Sequence, residues 1–202
     1  MRRVELTLSD AALSALRQSI ESYAPVSDET WSALRAICRV KQILRGHVLY
    51  PARVVPDSFA FVFRGLFRVY VSDDKGNEYN KNFFDEGKYP GSMAALHTDS
   101  PSVATIEALE DSTVVTIDFK RYRKLLEERH DLKMYQIHYL ERNWLLAKDS
   151  REIEIVLEDA TQRYLRFIEE HGSIATRIPQ YHIASHLGIT PTQLSRIRKT
   201  LG

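Results

Sequence analysis

The stretch Gln180–Leu201 reads QYHIASHLGITPTQLSRIRKTL and predicts a helix, a tight turn and a second helix. Ile183, Ala184 and Leu187 place small or apolar side chains on one face of the first helix. Gly188 follows at once and can adopt the positive φ that a sharp helix exit requires. This spacing is typical of a helix-turn-helix motif.

The second helix of this motif carries its own start signals. Thr190 is a favourable N-cap, Pro191 suits the first helical position and Gln193 completes a capping box. Three apolar residues are expected to face inward: Leu194, Ile197 and Leu201. In helix-turn-helix proteins the second helix enters the major groove of DNA, so the motif predicts a DNA-reading surface.

Polar side chains on the outer face of the second helix are the candidate DNA contacts. Arg196 is the best candidate for a base contact, because arginine can bind guanine O6 and N7 together; a phosphate-bound or solvated Arg196 is the alternative. Gln193 has two competing roles, reading adenine and capping the helix. Arg198 and His182 are further candidates for phosphate contacts. The predicted DNA-binding residues are Thr190, Pro191, Thr192, Gln193, Ser195, Arg196, Lys199 and Gln180.

The distribution of charge along the chain agrees with a DNA-binding surface near the C-terminus. The net charge of the 202 residues is only +1, so the whole chain is not a nucleic-acid polycation. Between Gly172 and Gly202, however, there is no Asp or Glu. The basic residues of that segment are Arg177, Arg196, Arg198 and Lys199. A local basic surface on a nearly neutral protein is what a DNA-reading module needs.

Cysteine content and hydropathy limit the location of the protein. A single cysteine, Cys38, rules out a disulfide framework or a cysteine-ligated metal cluster within one chain, and it is expected to be a buried helix residue. No apolar run approaches the roughly 20 residues that span a bilayer. The N-terminal residues MRRVELTLSD lack the apolar segment of a signal peptide. We therefore expect a cytoplasmic protein that does not enter a membrane.

The region from Val40 to Ile117 consists of short β-rich runs separated by turn signals, which predicts an antiparallel sandwich or barrel. The residues Asp73–Asn77 strongly predict a hairpin turn. Within this β-rich region, no helix of any length is expected before Asp118. Two helices precede this region. The first is predicted over Ser9–Tyr23 with Ser9 as its cap, and the second is capped by Ser27.

A long helix is predicted from Asp131 to about Ile155. Apolar residues recur every seven positions at Leu132, Tyr139, Leu146 and Ile153. A heptad on a long helix favours pairing with a second copy of the chain, and packing against the chain's own β-region is the alternative. After this helix, Asp159 and Gln162 form a capping box for a further helix that Gly172 closes, and Ser173–Ile178 is expected to be extended.

Taken together, these segments resemble the CRP/FNR family of cyclic AMP receptor protein-like transcription regulators. The resemblance rests on FVFRGLFRVYVSDDKGNEYNKNFFDEGKYPGSM (61–93), IEALEDSTVVTIDFKRYRKLL (106–126) and RIPQYHIASHLGITPTQLSRIRK (177–199). It implies an α+β fold: an N-terminal double-stranded β-helix of the cyclic-nucleotide-binding jelly-roll type, a dimerisation helix and a C-terminal helix-turn-helix of winged-helix type. The expected domains are 1–130 for effector sensing, 131–157 for dimerisation and 158–202 for DNA binding.

The resemblance also implies a function and residue roles. We expect a homodimer that binds a pseudo-palindromic operator in double-stranded DNA, contacts RNA polymerase and is not an enzyme. By resemblance, Pro191, Thr192 and Arg196 occupy base-reading positions and Thr190 a phosphate-contacting one. The family's wing would follow the recognition helix. Because this chain stops at Gly202, we expect the wing to be missing or reduced to Ser173–Ile178.

The cyclic-nucleotide site departs from the family pattern. The Arg that holds the phosphate and the Glu that holds the ribose are unmatched, since Gly91-Ser92 and Ser102-Val103 occupy their positions. A buried phosphate diester needs a cation or several N–H donors, so cyclic AMP is not the expected effector, and no cofactor is assigned. The family's iron–sulfur cysteines are also absent. An unknown small-molecule effector would meet Gly91, Ser92, Ser102, Val103, Lys148 and Asp149, where Lys148 is either an anion partner or a solvated residue.

Two other classes of protein compete with this interpretation. A metal enzyme on a cupin-like barrel needs two or three histidines and a carboxylate on neighbouring strands, but the β-region holds only His47 and His97. His182 and His186 have the i, i+4 spacing of a zinc pair, but a polar surface beside DNA is the preferred explanation for them. We therefore expect neither catalytic nor metal-binding residues. A sensor or interaction protein that does not bind DNA is the second alternative.

Overall fold

In a computed structural model, which describes residues 7–146 and 159–201, two antiparallel sheets lie between two sets of helices. The strands are β1 (Cys38–Ile43), β2 (Val48–Tyr50), β3 (Ser58–Arg64), β4 (Phe67–Ser72), β5 (Glu78–Phe84), β6 (Thr105–Ala108) and β7 (Ser112–Asp118). The helices are α1 (Leu8–Glu21), α2 (Asp28–Ala36), α3 (Met93–Thr98), α4 (Phe119–Glu128), α5 (His130–Leu140), α6 (Ala160–His171), α7 (Gln180–His186) and α8 (Pro191–Leu201).

The strands form the predicted sandwich. One sheet has the order β1-β7-β3 and the other β2-β6-β4-β5, with antiparallel pairing throughout. Strand β7 is buried from Ser112 to Ile117, because one of its faces meets the second sheet and the other meets the N-terminal helices. The Asp73–Asn77 turn joins β4 to β5 as predicted, and Asp73 Oδ1 accepts hydrogen bonds from the N–H groups of Lys75 and Asn77.

The N-terminal helices form with small shifts from the prediction. Ser27 caps α2 as expected, but α1 begins at Leu8 with Thr7 as its cap, so the predicted Ser9 cap is wrong. The Thr7 hydroxyl accepts from the Asp10 N–H group, which is the usual N-cap geometry. Cys38 is buried as predicted but begins strand β1, because α2 ends two residues earlier.

The region before Asp118 contains one helix that the sequence analysis excluded. Helix α3 covers six residues, Met93–Thr98, directly after the Gly91-Ser92 loop. Its buried residues Ala95 and Leu96 pack inward, and this burial stabilises a segment too short to form a helix alone. After the sheet, the Asp118 side chain accepts from the Arg121 N–H group and caps α4.

The described part of the long helix has two different faces. Leu132 and Tyr135 are buried against the chain's own core, so the alternative of self-packing holds for its first turns. Further along, a π-helical turn covers Glu141–Leu145, and apolar side chains are exposed there. The exposed residues are Ile137, Leu140, Trp144, Leu145 and Leu146. The predicted heptad position Ile153 lies outside the described residues.

The C-terminal helices share a core with the sheet domain. The predicted capping box is present, with Asp159 accepting from Thr161 and Gln162, and Gly172 closes α6. The segment from Ser173 to Ile178 forms turns, so the extended prediction is wrong. Burial of Ile174 and Ile178 explains the turns, because both side chains point into a cluster that also contains sheet-domain residues. The cluster consists of Leu66, Phe83, Phe167, Ile174, Ile178, Ile183, Ala184, Leu187 and Leu194.

Gly65 makes the tight connection between β3 and β4. Its φ is +120°, a conformation that side chains rarely adopt. A Cβ built on Gly65 would overlap Ser112, lying 2.7 Å from its Cα. Gly65 is therefore required, because the β3–β4 turn lies too close to Ser112 on β7 for a side chain.

We predict that Gly65→Ala lowers the free energy of unfolding by roughly 3 kcal/mol, because backbone strain and overlap with Ser112 add. Gly76→Ala is the matched control, since Gly76 also has a positive φ (+82°) but its Cβ would meet nothing within 4 Å. The control should lose only about 1–2 kcal/mol. Urea unfolding followed by circular dichroism measures both values, and equal losses would contradict the close-approach explanation.

Candidate DNA-binding surface and effector cavity

The helix-turn-helix is formed as the sequence predicts. Helices α7 and α8 are joined by a short turn in which Gly188 has φ +67°. Ile183, Ala184 and Leu187 are buried, and Leu194 packs against them from α8. Ala184 is fully buried in this cluster. The motif therefore has an apolar interior through which α8 packs against α7.

The predicted DNA-binding residues all lie on the exposed surface. The Thr190 hydroxyl accepts from the Gln193 N–H group, and Gln193 Oε1 accepts from the Thr190 N–H group, which is a complete capping box. The capping role of Gln193 is thus observed. The exposed set is Thr190, Pro191, Thr192, Gln193, Ser195, Arg196, Lys199 and Gln180. Leu201 is 46% exposed, so its predicted inward position is wrong; it lies in the last turn of α8, beyond the reach of α7.

Helix α7 packs directly on strand β5. The Ser185 hydroxyl donates to the carbonyl oxygen of Glu78 and accepts from the Asn80 N–H group, so it occupies an open edge of the sheet. His186 Nδ1 lies 3.2 Å from the Asn80 carbonyl oxygen. Asn80 itself is buried beneath α7. The first helix of the motif is therefore held to the sheet domain through backbone as well as side-chain groups.

A buried arginine, Arg68, lies at the centre of this contact. Its guanidinium forms ion pairs of 2.6 Å with both Glu78 and Glu107 and stacks 3.9 Å from the ring centroid of Tyr70. Its Nη1 also lies 3.3 Å from Nδ1 of His182 on α7. Because a buried guanidinium is costly without partners, the two carboxylates and the aromatic ring are needed to hold it.

His182 is buried and neutral in this arrangement. Its Nδ1 accepts from Arg68 Nη1 and from Asn80 Nδ2, which leaves no place for a proton on that nitrogen. Burial, followed by the charge of Arg68, lowers the pKa of His182 to about 4. The expectation that His182 contacts DNA phosphates is therefore wrong, because its side chain faces the sheet and not the solvent.

Arg177 provides a second ionic contact between the two regions. It pairs with Glu86 at 2.9 Å and also with Glu110, both in the sheet domain. Burial raises the pKa of Glu86, but the hydrogen bonds from Arg177 and the Gly65 N–H group outweigh this and lower it to about 2. Arg177 is thus paired within the chain, and the basic residues left for the candidate DNA-binding surface are Arg196, Arg198 and Lys199.

A cavity of about 560 Å³ lies between the sheet domain and α5. The loop residues predicted for an effector, Gly91, Ser92, Ser102 and Val103, all line it. Lys148 and Asp149 lie outside the described residues. Sequence reasoning missed most of the wall, which is aromatic and aliphatic: Phe59, Tyr89, Phe119, Tyr122, Leu126, Tyr135, Tyr139 and Trp144.

Two serines at the loop end of the cavity are bonded to each other. Ser102 Oγ donates to the Ala104 carbonyl oxygen at 2.7 Å and accepts from the Ala104 N–H group at 3.1 Å. Ser92 Oγ lies 2.7 Å from Ser102 Oγ. Since the Ser102 proton is already used, Ser92 is the donor in this pair, and its own lone pairs remain free to accept.

Sequence reasoning also missed Arg68 and Asn80. Arg68 lies between the buried residues Phe67 and Val69 of β4, whereas Asn80 is a buried residue between the exposed Tyr79 and Lys81 of β5, where α7 covers it. The available signal was a charged residue within the apolar run LFRVYVS. Among residues 7–146 and 159–201, no group of three or more His, Cys, Asp or Glu side chains could hold a metal ion, and no helix could span a membrane.

Comparison with known proteins agrees with this architecture. Residues 40–129 match the cyclic nucleotide-binding domain family, whereas no curated protein sequence matches the chain. FixK2 from Bradyrhizobium japonicum has a TM-score of 0.68 and 16% identity, over 82% of this chain and 84% of that one. A CooA mutant from Carboxydothermus hydrogenoformans gives 0.67 and 16%, over 91% and 83%.

A third similar structure is the c-di-GMP-responsive global regulator CLP of Xanthomonas campestris, with a TM-score of 0.66 and 14% identity over 87% of this chain and 91% of that one. At such identities the similarity concerns the fold. Residues 40–129 therefore resemble a cyclic nucleotide-binding domain, and the fold of the chain is that of the CRP/FNR-type regulators. The resemblance in the sequence is confirmed at this level.

We predict that the packing of α7 on the sheet weakens in acid because of His182. Its pKa rises from about 4 when buried to about 6.5 when released. The group therefore favours release as the pH falls from 6.5 towards 4, and the contact is fully stable above 6.5. Urea unfolding at several pH values should show a loss of stability across this window.

The control is His182→Asn, whose Oδ1 replaces the Nδ1 acceptor without titrating. The variant should lose much of the pH dependence between 6.5 and 4 while remaining folded at neutral pH. An unchanged pH profile in the variant would show that other groups control stability in this range.

Proposed function

We propose that this protein is a sequence-specific, DNA-binding transcription regulator that acts as a homodimer in the cytoplasm, contacts RNA polymerase and has no enzymatic role. The observation that carries the proposal is the exposed outer face of α8, which presents Arg196, Arg198 and Lys199 on a capped helix with no acidic residue. A helix of this kind can place its first turn in the major groove while cations meet the phosphates.

Particular residues are assigned to this role. Pro191, Thr192 and Arg196 would face base edges, and Thr190 and Lys199 would contact phosphates. Ser195 and Gln180 would contact the DNA backbone. Gln193 serves chiefly as the N-terminal cap of α8. Similarity in fold to CLP, described as linking cell-cell signalling to virulence gene expression, supports a regulatory role.

Dimerisation would bring two recognition helices to one operator. The exposed apolar residues of α5 and the π-helical turn form a continuous surface that a second copy would cover. Two copies of α8 roughly 34 Å apart would read a pseudo-palindromic site. The proposed regions, 1–130 for sensing, 131–157 for dimerisation and 158–202 for DNA binding, follow from this arrangement.

The proposed effector site is the cavity between the Gly91-Ser92 loop and α5. A ligand there would contact both the sheet domain and the dimer helix, so it could favour one arrangement of the dimer through differential affinity. Cyclic AMP is not the proposed effector, since the loop offers Ser92 and Ser102 where the phosphate requires a cation.

We predict that Arg196→Ala weakens binding to a specific operator by roughly 1–3 kcal/mol and relaxes the preference at one base position. Lys199→Ala is the control and should weaken specific and non-specific binding about equally. The operator can be selected from genomic fragments, and anisotropy with single-base variants then measures the preference. If Arg196→Ala keeps the full base preference, Arg196 does not read a base; if no fragment binds in a salt-dependent way, the interaction-protein alternative is correct.

We predict that Leu146→Glu converts the dimer to a monomer, because it places a charge in an apolar interface. Leu44→Glu is the matched control, since Leu44 is similarly exposed (58% against 65%) but lies between β1 and β2. Sedimentation equilibrium measures the mass of each variant. A Leu146→Glu protein that stays dimeric would argue against pairing through this helix.

A further inference from the structure

We infer that the cavity beside α5 binds an uncharged, mainly aromatic small molecule that donates a hydrogen bond, through an N–H or O–H group, to Ser92. This inference names the ligand class of the proposed effector site and rests on the proposed function only for its regulatory meaning. Binding itself follows from the volume, wall and hydrogen bonding of the cavity.

The volume of the cavity suits a small organic molecule. Ligand sites in proteins usually occupy about 300–1,000 Å³ and are lined chiefly by apolar and aromatic side chains with a few placed polar groups. At about 560 Å³ this cavity lies within that range. The buried residues Phe59, Phe119 and Leu126 contribute to its wall, so much of a bound ligand would lose contact with water.

The tyrosines of the wall add aromatic surface without charge. Tyr122 donates to Gln136 Oε1 at 2.6 Å, and Tyr89 Oη lies 2.9 Å from Ser19 Oγ. Burial raises the pKa of Tyr139 to about 12 and raises that of Tyr135 well above its ordinary value. These rings therefore stay neutral and present edges and faces to an aromatic ligand.

The described wall of the cavity has no buried cation that would neutralise an anion in its interior. Among the described lining residues there is no Asp or Glu, and the cationic side chains Lys81 and Arg123 are exposed, where solvent screens them. The serine pair cannot replace a cation. Ser102 donates to a carbonyl oxygen and Ser92 donates to Ser102, so the pair has lone pairs to offer and no free proton.

The same hydrogen bonding selects the polar group of the ligand. A carboxylate or phosphate oxygen near Ser92 would meet lone pairs, which is repulsive and leaves a desolvated charge. An N–H or O–H group would instead donate to Ser92 and complete its hydrogen bonds. The ligand would also contact Tyr139 and Trp144, and Trp144 lies in the π-helical turn that follows α5.

The test uses two fluorescent probes that differ by one charged group. N-phenyl-1-naphthylamine is neutral, aromatic and carries one N–H donor, whereas 8-anilinonaphthalene-1-sulfonate has the same rings with a sulfonate. Fluorescence titration of the full chain should show saturable binding of the neutral probe, with one molecule per chain. The sulfonate probe should bind about tenfold more weakly or worse, since its charge must be desolvated.

Variants connect this binding to the cavity. Ala95→Phe places a ring inside it and should weaken the neutral probe by about tenfold or more, because little volume remains. Ala36→Phe, at an exposed position on α2, is the matched control and should bind as the natural protein does. Ser92→Ala should weaken binding by roughly two- to tenfold, the effect of one neutral hydrogen bond.

Several results would overturn the inference. These are equal or tighter binding of the sulfonate probe that Arg123→Gln abolishes, displacement of the neutral probe by stoichiometric cyclic AMP, or unchanged binding in both Ala95→Phe and Ser92→Ala. DNA binding is measured separately by anisotropy. A chain that binds the neutral probe but no DNA retains this inference and loses the proposed function, whereas the reverse outcome rejects the inference alone.

Discussion

The buried Arg68 guanidinium is the interaction on which the relation between the two regions depends. Arg68 lies on β4, and its guanidinium forms ion pairs with Glu107 on β6 and Glu78 on β5. The same group donates a hydrogen bond to His182 on α7. Removal of either carboxylate would leave part of a buried charge uncompensated, which costs far more than the loss of a surface ion pair. One side chain therefore connects three strands of the sheet domain to α7, the first helix of the helix-turn-helix.

Because of this connection, the helix-turn-helix is not a separate unit but is packed against the sheet domain. The faces of α7 that give the motif its interior also contact Leu66 and Phe83, so the motif and the sheet domain share one apolar cluster. A movement of the recognition helix relative to the sheet would have to expose part of that cluster and open the Arg68 and Arg177 contacts. The sheet domain and α8 are therefore joined through a packed surface that includes α7.

Much of the architecture follows from local sequence. The capping boxes at Asp159 and Thr190, the turn at Asp73–Asn77 and the exit at Gly188 depend on contacts between residues a few positions apart, so the sequence predicts them well. The errors occur where distant segments decide the outcome. Helix α3 and the turns after Gly172 form because their apolar side chains are buried against distant segments. The position of His182 in the motif suggests a solvent-facing side chain, but strand β5 covers it.

By itself the sequence determined the strand region, the two helices joined at Gly188 and the outer face of α8, since periodicity and caps are properties of a single segment. It also places Ser92 and Ser102 where the resemblance to the CRP/FNR family implies a carboxylate and an arginine. Only the tertiary structure decided that Arg177 forms ion pairs with Glu86 and Glu110. It also decided that aromatic side chains from β3, α4 and α5 line one largely apolar cavity. The physical reason is that ion pairing and cavity shape depend on contacts between residues far apart in the sequence, which local sequence patterns do not predict.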